Sequence, residues 1–179
     1  KFLVFHPFIS VITGVAWDHH EIYKTEEEYK EAFRQYIGQS EYNVVWQDNA
    51  STLRLDTDEK IAVLDKNEPN ISRLELAGAV NREDAWQAAI AVSKATGEPA
   101  EKLLVIVNKF PGLSRRMEEI APGLYSDYAH TPEKIAGALN TALEIAKEKS
   151  QKLVVIYEPL TNRRAEYIKD ELKNVFDGA

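Results

Sequence analysis

The sequence contains no cysteine, and its 179 residues include a single methionine. Without cysteine the chain can form neither disulfides nor thiolate metal sites, which fits a reducing compartment and predicts a cytoplasmic location. Long hydrophobic runs are also missing. The longest, such as 103–107, are far shorter than the roughly 20 residues that span a bilayer, and 1–5 lacks the layout of a signal peptide. The sequence therefore predicts no membrane partner.

An excess of basic residues is the next absence. The chain carries 22 Lys and Arg against 29 Asp and Glu, for a net charge of -7. Because the acidic residues are dispersed and no basic patch stands out, we expect no nucleic-acid partner. The sequence has no GxxxxGK[ST] loop to hold a triphosphate by itself, and no G-x-S-x-G elbow that would indicate a hydrolase.

What is present is an alternation of short apolar runs with helical patterns, which predicts an α/β fold. The predicted strands are 8–15, 42–46, 52–55, 61–64 and 73–76. The predicted helices are 82–96, 99–108 and one that opens with a capping box at Thr25 and ends at Gly38. The Phe110-Pro111-Gly112 break predicts a domain boundary, which separates domain 1–110 from domain 111–179.

The second domain is predicted to begin with strands 115–120 and 124–129, which are joined by a Pro122-Gly123 turn. A helix then begins at Pro132, and the apolar run 153–157 has the composition of a parallel strand covered on both faces. The segment 124–157 is therefore predicted to be a βαβ unit. A last helix is predicted at about 162–176.

The first candidate site is Asp18-His19-His20-Glu21, at the carboxyl end of the first predicted strand. These side chains could ligate Mg²⁺ or Zn²⁺, or supply one ligand to a metal held mainly by phosphate oxygens. Adjacent residues on an extended segment point in opposite directions, so only one histidine is expected to face a site. The alternative is a polar surface turn in which Asp18 caps the next segment.

The second candidate site lies in "SDYAHTP". Alternation along a strand places Tyr128 and His130 on one side, where they could surround a ligand, and Asp127 on the other. The alternative is that Tyr128 belongs to the core and His130 caps a helix. Two arginine pairs, Arg115-Arg116 and Arg163-Arg164, could bind an anionic substrate. Alternatively, they could form ion pairs with nearby surface glutamates.

Four stretches, in order, resemble motifs of the ATP-dependent Mur ligases: "VITGVAWDHHEIY", "FPGLSRR", "SDYAHTP" and "VVIYEPLTNRR". They are spread over residues 11–164, which is most of the chain. The resemblance implies the end of a central ATPase-like, ATP-binding domain followed by the start of a Rossmann-like carboxyl-terminal domain, both incomplete. We then expect an amino-terminal domain before Lys1 and no activity from this fragment alone. A nonenzymatic binding module derived from such a ligase is the alternative.

The resemblance also implies an activity: ATP-dependent amide-bond formation in peptidoglycan precursor synthesis, through an acyl phosphate, with ATP and Mg²⁺ as cofactors. The implied substrates are UDP-N-acetylmuramate and L-alanine. Recycling of a murein tripeptide, or the reaction of another Mur ligase, is the alternative.

Roles for individual residues are implied in the same way. His19 corresponds to the family's catalytic Mg²⁺ ligand, and Arg116 to the catalytic arginine near the nucleotide phosphates. Asp127 corresponds to a residue near the ribose. Three positions correspond to residues around the incoming amino acid: Tyr128, His130 and Arg164.

The chain departs from the family pattern at several of these positions. Gly14 replaces an asparagine, His20 replaces a leucine and Glu21 replaces an aspartate. In the segment that contacts adenine, Asn81 matches the pattern, whereas Val80 replaces a histidine and Asp84 replaces an asparagine. Asn81 and Asp84 are the positions expected to bind the nucleotide, with altered adenine recognition.

Overall fold

The computed structural model describes residues 2–56, 58–159, 166 and 168–177. The chain forms two compact units. The first unit comprises Lys1–Glu75 and Arg82–Lys109, and the second comprises Leu76–Asn81 and Phe110–Ala179. The predicted assignment of 1–110 and 111–179 to two Mur ligase domains stays a prediction.

The first unit is built on a three-stranded parallel sheet in the order β1-β2-β3. Its strands are β1 (Ile9–Ile12), β2 (Tyr42–Trp46) and β3 (Ile61–Leu64). Val45 lies opposite Ile12 on one side and Val63 on the other. These strands are parallel and are connected by helices, which confirms the α/β class. The arrangement is consistent with a partial Rossmann-like fold.

Four helices belong wholly or partly to this unit: α1 (Glu26–Gly38), α2 (Gln47–Leu53), α3 (Ala79–Thr96) and α4 (Ala100–Val107). Short 3₁₀ helices occupy Phe2–Val4 and Pro69–Arg73. The predicted capping box is confirmed, because Thr25 Oγ1 accepts from the Glu28 N–H at 3.2 Å and Glu28 Oε2 accepts from the Lys24 N–H at 2.7 Å. Across the described ranges, no helix has both the length and the apolar character needed to span a bilayer.

The hydrophobic core of the first unit joins the sheet to α1 and α2. Its buried members are Ile12, Val15, Ile37, Val45, Ala50 and Leu53. Alternation along β2 gives Asn43 the same side as Val45, and the Asn43 Nδ2 donates to the Ile37 carbonyl at the end of α1. This face of the sheet therefore carries both apolar packing and a buried polar tie to α1.

Two strands predicted for the first unit are wrong. Residues 52 and 53 are instead the end of α2, followed by Arg54 in the left-handed region at φ 52°. Residues 69–73 form a 3₁₀ helix, and 74–76 are not in a strand. Leu53 and Leu74 are both buried. Apolar residues can therefore be buried by tertiary packing without belonging to a strand.

The second unit contains an antiparallel hairpin of β4 (Glu118–Ala121) and β5 (Leu124–Ser126), followed by α5 (Pro132–Glu148). The predicted Pro122-Gly123 turn and the helix opening at Pro132 are both confirmed. Gly123 has φ 75°, which a glycine adopts without strain. A 3₁₀ turn at Glu171–Lys173 lies within the predicted last helix, whose residues 162–165 and 167 are outside the described residues.

The predicted βαβ unit over 124–157 is wrong. The run 153–157 is not in a strand, and within the described part of this unit the only sheet is the antiparallel hairpin. Val154 is 82% exposed and Ile156 is 95% exposed. An apolar run becomes a buried strand only when a neighbouring strand is available to pair with it, and composition alone does not supply one.

Because Ile156 is almost fully exposed, we expect Ile156→Lys to change the free energy of unfolding of this chain by less than about 0.5 kcal/mol. A lysine in a covered parallel strand would instead cost several times more, since its charge would be buried. Urea denaturation of the two proteins measures the difference. A decrease of about 3 kcal/mol in the free energy of unfolding would instead favour the predicted buried strand at 153–157.

Candidate functional site

The loop after β1 holds His19 in a defined turn. The His19 N–H donates to Asp18 Oδ1 at 2.7 Å, a bond between adjacent residues that helps to hold the turn. The His19 carbonyl accepts from the N–H groups of Ile22 at 2.8 Å and Tyr23 at 3.0 Å. His19 itself has φ 58°, in the left-handed region. As expected, the two histidines differ, because His20 is buried and His19 is partly exposed.

The His19 ring lies beside a carboxylate. Its Nδ1 is 3.2 Å from Glu21 Oε1. A neutral imidazole that donates from Nδ1 has its lone pair on Nε2, which is the form that binds metal ions. The described ranges contain no group of three or more His, Cys, Asp or Glu that could hold a metal. Around His19 the described residues therefore offer fewer than three ligands, so a metal ion here would need further ligands such as phosphate or water oxygens.

A second cluster occupies the carboxyl edge of the same sheet, where ligands often bind in open α/β folds. Lys66, after β3, lies 2.7 Å from Asp48 Oδ2, after β2, and 3.7 Å from Glu83 Oε2 on α3. Burial, the largest single cause, would raise the pKa of Asp48, but the hydrogen bonds from Lys66 and the Asn49 N–H, together with the charge of Lys66, outweigh it and the pKa is lowered. Sequence reasoning missed this cluster, although both Asp48 and Lys66 follow predicted strands within two residues.

The cluster borders an open pocket of about 260 Å³. The residues that line it are Gln47, Asp48, Ser51, Leu64, Asp65 and Lys66. Lys66 is paired with two carboxylates, Asp48 at the sheet edge and Glu83 on α3. These ion pairs link the sheet edge to α3.

The two predicted nucleotide-binding residues of α3 differ in environment. Asn81 is exposed, and its Nδ2 donates to the Ala77 carbonyl at 2.7 Å. Asp84 is partly buried, and burial, followed by the charge of Glu83, raises its pKa to about 6, with Lys66 opposing the shift. Asp84 is therefore a carboxyl group whose ionisation is costly in the folded chain.

This shift predicts a pH-dependent effect of Asp84→Asn. The folded-state pKa of about 6 exceeds the ordinary 3.8, so wild-type stability falls as pH rises through this window. We expect Asp84→Asn to be more stable than wild type by about 1 kcal/mol at about pH 7.5, after allowance for solvent screening, and equally stable at about pH 4. Thermal unfolding at both pH values measures this, with Asp56→Asn as the exposed control. A gain that is the same at both pH values would contradict it.

In the second unit, Tyr128 and His130 lie together as predicted. Their ring centroids are 5.1 Å apart, and the Arg115 guanidinium lies 5.6 Å from the centre of the Tyr128 ring. Tyr128 is 49% exposed, so the alternative that placed it in the core is wrong. His130 is not the cap of α5, because Thr131 occupies that position. The three side chains form an exposed stack of a cation and two aromatic rings.

The remaining predicted site residues of this unit have other surroundings. Asp127 accepts from the Met117 N–H at 2.9 Å through Oδ2 and from the Ala129 N–H at 2.6 Å through Oδ1. Its carboxylate thus joins the loop before β4 to the segment after β5. Arg116 is exposed in the same loop, with its N–H donating to the Leu113 carbonyl at 3.2 Å. Arg164 lies outside the described residues.

Comparison with known proteins finds ligases among the relatives of this chain. No protein-family model matches the chain. A UDP-N-acetylmuramate–L-alanine ligase of Caldanaerobacter subterraneus is 26% identical over 216 aligned positions, which cover 100% of this chain and 46% of the relative. The ligase of the same name from Caldicellulosiruptor saccharolyticus is 27% identical, over 99% of this chain and 45% of the relative. A Rickettsia bellii ligase of that name is 34% identical over 76 residues, 40% of this chain and 16% of the relative.

The chain therefore spans less than half the length of these curated relatives. Two of the alignments are longer than the chain, so the relatives contain segments that this chain lacks. The similarity nevertheless extends over the whole chain and agrees with the four ordered motifs. On this evidence the chain is similar to the Mur ligases over its whole length.

Proposed function

We propose that the chain is part of an ATP-dependent ligase that joins L-alanine to UDP-N-acetylmuramate through an acyl phosphate, in peptidoglycan precursor synthesis. The observation that carries the proposal is similarity along the whole chain to ligases named for this reaction. In this proposal the first unit supplies the end of the ATP-binding domain and the second supplies the start of the carboxyl-terminal domain. The proposed location is the cytoplasm.

On the nucleotide side, His19 would supply one ligand to Mg²⁺, with Glu21 orienting its ring. The metal ion, when bound, would neutralise charge on the transferring phosphoryl group. Arg116 would approach the nucleotide phosphates, a role for which an exposed guanidinium on a loop is suited. Asn81 and Asp84 would face the adenine. Asp84 can accept but, when ionised, cannot donate a hydrogen bond, so base recognition would differ from that of an asparagine.

On the amino-acid side, Tyr128 and His130 would surround the incoming L-alanine, and Arg164 would pair with its carboxylate. The contact of 5.1 Å between the two rings supports a shared site. Asp127 is proposed to lie near the ribose, where its two backbone hydrogen bonds would fix the loop that bears Arg116. Contacts with these side chains would place the amine for attack on the acyl phosphate.

The test is a steady-state assay of phosphate release by the protein that carries this chain. We expect His130→Ala to raise the KM for L-alanine about tenfold, the cost of one lost polar contact, with little change in the KM for ATP. His6→Ala, outside both candidate sites, is the control. Equal increases in the two KM values would contradict the assignment, and replacement of L-alanine by a murein tripeptide tests the recycling alternative.

A nonenzymatic binding module is the second candidate, and the altered adenine segment favours it. Val80 and Asp84 stand where the family has a histidine and an asparagine. Calorimetric titration with Mg²⁺ and ATP, beside the phosphate-release assay, separates the two candidates. Binding without turnover by the protein that carries this chain would support the module, whereas turnover dependent on L-alanine would eliminate it.

A further inference from the structure

The turn that carries His19 is anchored by its neighbours. Trp17 and His20 stack with ring centroids 4.3 Å apart, and His20 is only 8% exposed. The Trp17 Nε1 donates to the Tyr23 carbonyl at 3.3 Å, which closes the turn. The Tyr23 ring in turn packs at 5.1 Å against Tyr29 of α1. The turn is thus tied to itself and to a helix of the first unit.

His19 lies between these anchors in a conformation that histidine adopts infrequently. Its φ of 58° is left-handed, where a side chain with a Cβ is strained. Such a residue persists only when its surroundings determine the conformation. Here the surroundings are the Trp17–His20 stack, the Asp18 hydrogen bond and the two bonds to the His19 carbonyl. With the backbone held in this way, the His19 ring is directed to Glu21.

We propose that Trp17 and His20 are positioning residues, which clamp this turn and thereby set the direction of the His19 imidazole toward its ligand. The positioning role of Trp17 and His20 follows from the geometry of the turn. The identity of the ligand, a divalent cation with nucleotide phosphate, rests on the proposed function. Neither residue belongs to the resemblance that assigns His19, because Trp17 falls at an unspecified position of the motif and His20 replaces a leucine.

The experiment uses the protein that carries this chain, with two readouts. The first is the NMR backbone and ring shifts of residues 18–22, which report the left-handed turn without any ligand. The second is the affinity for Mn²⁺ with ATP, measured by paramagnetic broadening of the His19 ring signals. The variants are Trp17→Leu, His20→Ala and the conservative pair Trp17→Phe and His20→Phe. Ile71→Ala, in another element, is the control for general loss of stability.

We expect Trp17→Leu and His20→Ala to shift the His19 signals and to weaken Mn²⁺ binding about 10- to 100-fold, as loss of a supporting residue does at metal sites. His20→Phe, which keeps a stacked ring, should restore both, and Trp17→Phe should lie between because it loses the Nε1 hydrogen bond. Ile71→Ala should lower the melting temperature and leave both readouts unchanged.

Unchanged His19 shifts in Trp17→Leu and His20→Ala would overturn the proposal, and so would shifts that Ile71→Ala reproduces. If Trp17→Leu does not fold, the variants Trp17→Phe, His20→Phe and His20→Ala still test the proposal. Absence of Mn²⁺ binding by the wild-type protein that carries this chain would count against the proposed nucleotide role of His19. The ligand-free shifts would still support or overturn the clamp.

Discussion

Gly78→Ala is expected to lower the free energy of unfolding of the second unit by about 3 kcal/mol or more. Gly78 has φ 86°, and a Cβ added there would lie 2.1 Å from Thr141 Oγ1 and 2.9 Å from Thr141 Cβ. Rotation of the threonine side chain moves Oγ1 but cannot move Cβ, which is fixed to the backbone of α5. The segment Leu76–Asn81 and α5 would therefore have to separate.

Gly123→Ala is the matched control for Gly78→Ala. Gly123 lies in the same unit with φ 75°, but an added Cβ would meet nothing within 4 Å. We expect it to cost only the left-handed strain, about 1 kcal/mol. Combining Gly78→Ala with Thr141→Ala, which removes Oγ1 and Cγ2, should recover part of the loss. Thermal and urea unfolding measure these effects, and equal losses at the two glycines would show that strain alone, not the contact with Thr141, decides the result.

Leu53→Ala is expected to cost about 3 kcal/mol of stability in the first unit, within the range for a buried leucine. Leu53 is fully buried in the cluster that contains Ile12, Ile37 and Val45. Removing its isobutyl group leaves a cavity between β2 and the two helices that cover it. Urea denaturation should show a lower midpoint with an unchanged m value, because the folded surface stays the same.

Leu55→Ala tests the conformation of the same segment. Leu55 is only partly buried at the edge of the cluster, so we expect a loss of about 1 kcal/mol. In the predicted strand, Leu53 and Leu55 would point to one face and contribute similarly. Equal losses would therefore favour the strand, whereas a threefold difference supports helix α2, its left-handed end at Arg54 and the burial of Leu53 alone.

Elements with a strong local signal could be predicted from the sequence. The box of Thr25 and Glu28 fixed the start of α1, and Pro132 fixed the start of α5. Both signals act through atoms within one helical turn of each other, so they do not depend on the rest of the fold. Tyr128 and His130 lie together although β5 ends at Ser126, short of the predicted 129, and the His130 Nδ1 is 2.9 Å from the Tyr128 carbonyl oxygen.

Contacts distant in sequence could not be predicted in this way. Asp48 and Lys66 are 18 positions apart, and they meet only because β2 and β3 are adjacent in a parallel sheet. The hydrogen bond from the Met117 N–H to Asp127, ten positions away, likewise depends on the hairpin between them. The carboxylate that the resemblance places near a ribose is, in the folded chain, engaged with two backbone N–H groups.

The sequence by itself determined the α/β class, the start of the main helices and the identity of the candidate residues, since these depend on periodicity, capping and residue type. Tertiary structure alone decided the helix over Gln47–Leu53, the exposure of 153–157 and the left-handed turn at His19. The physical reason is that a short apolar or polar segment has no conformation of its own that outweighs its surroundings. Packing partners, supplied by distant parts of the chain, choose among the conformations that the local sequence allows.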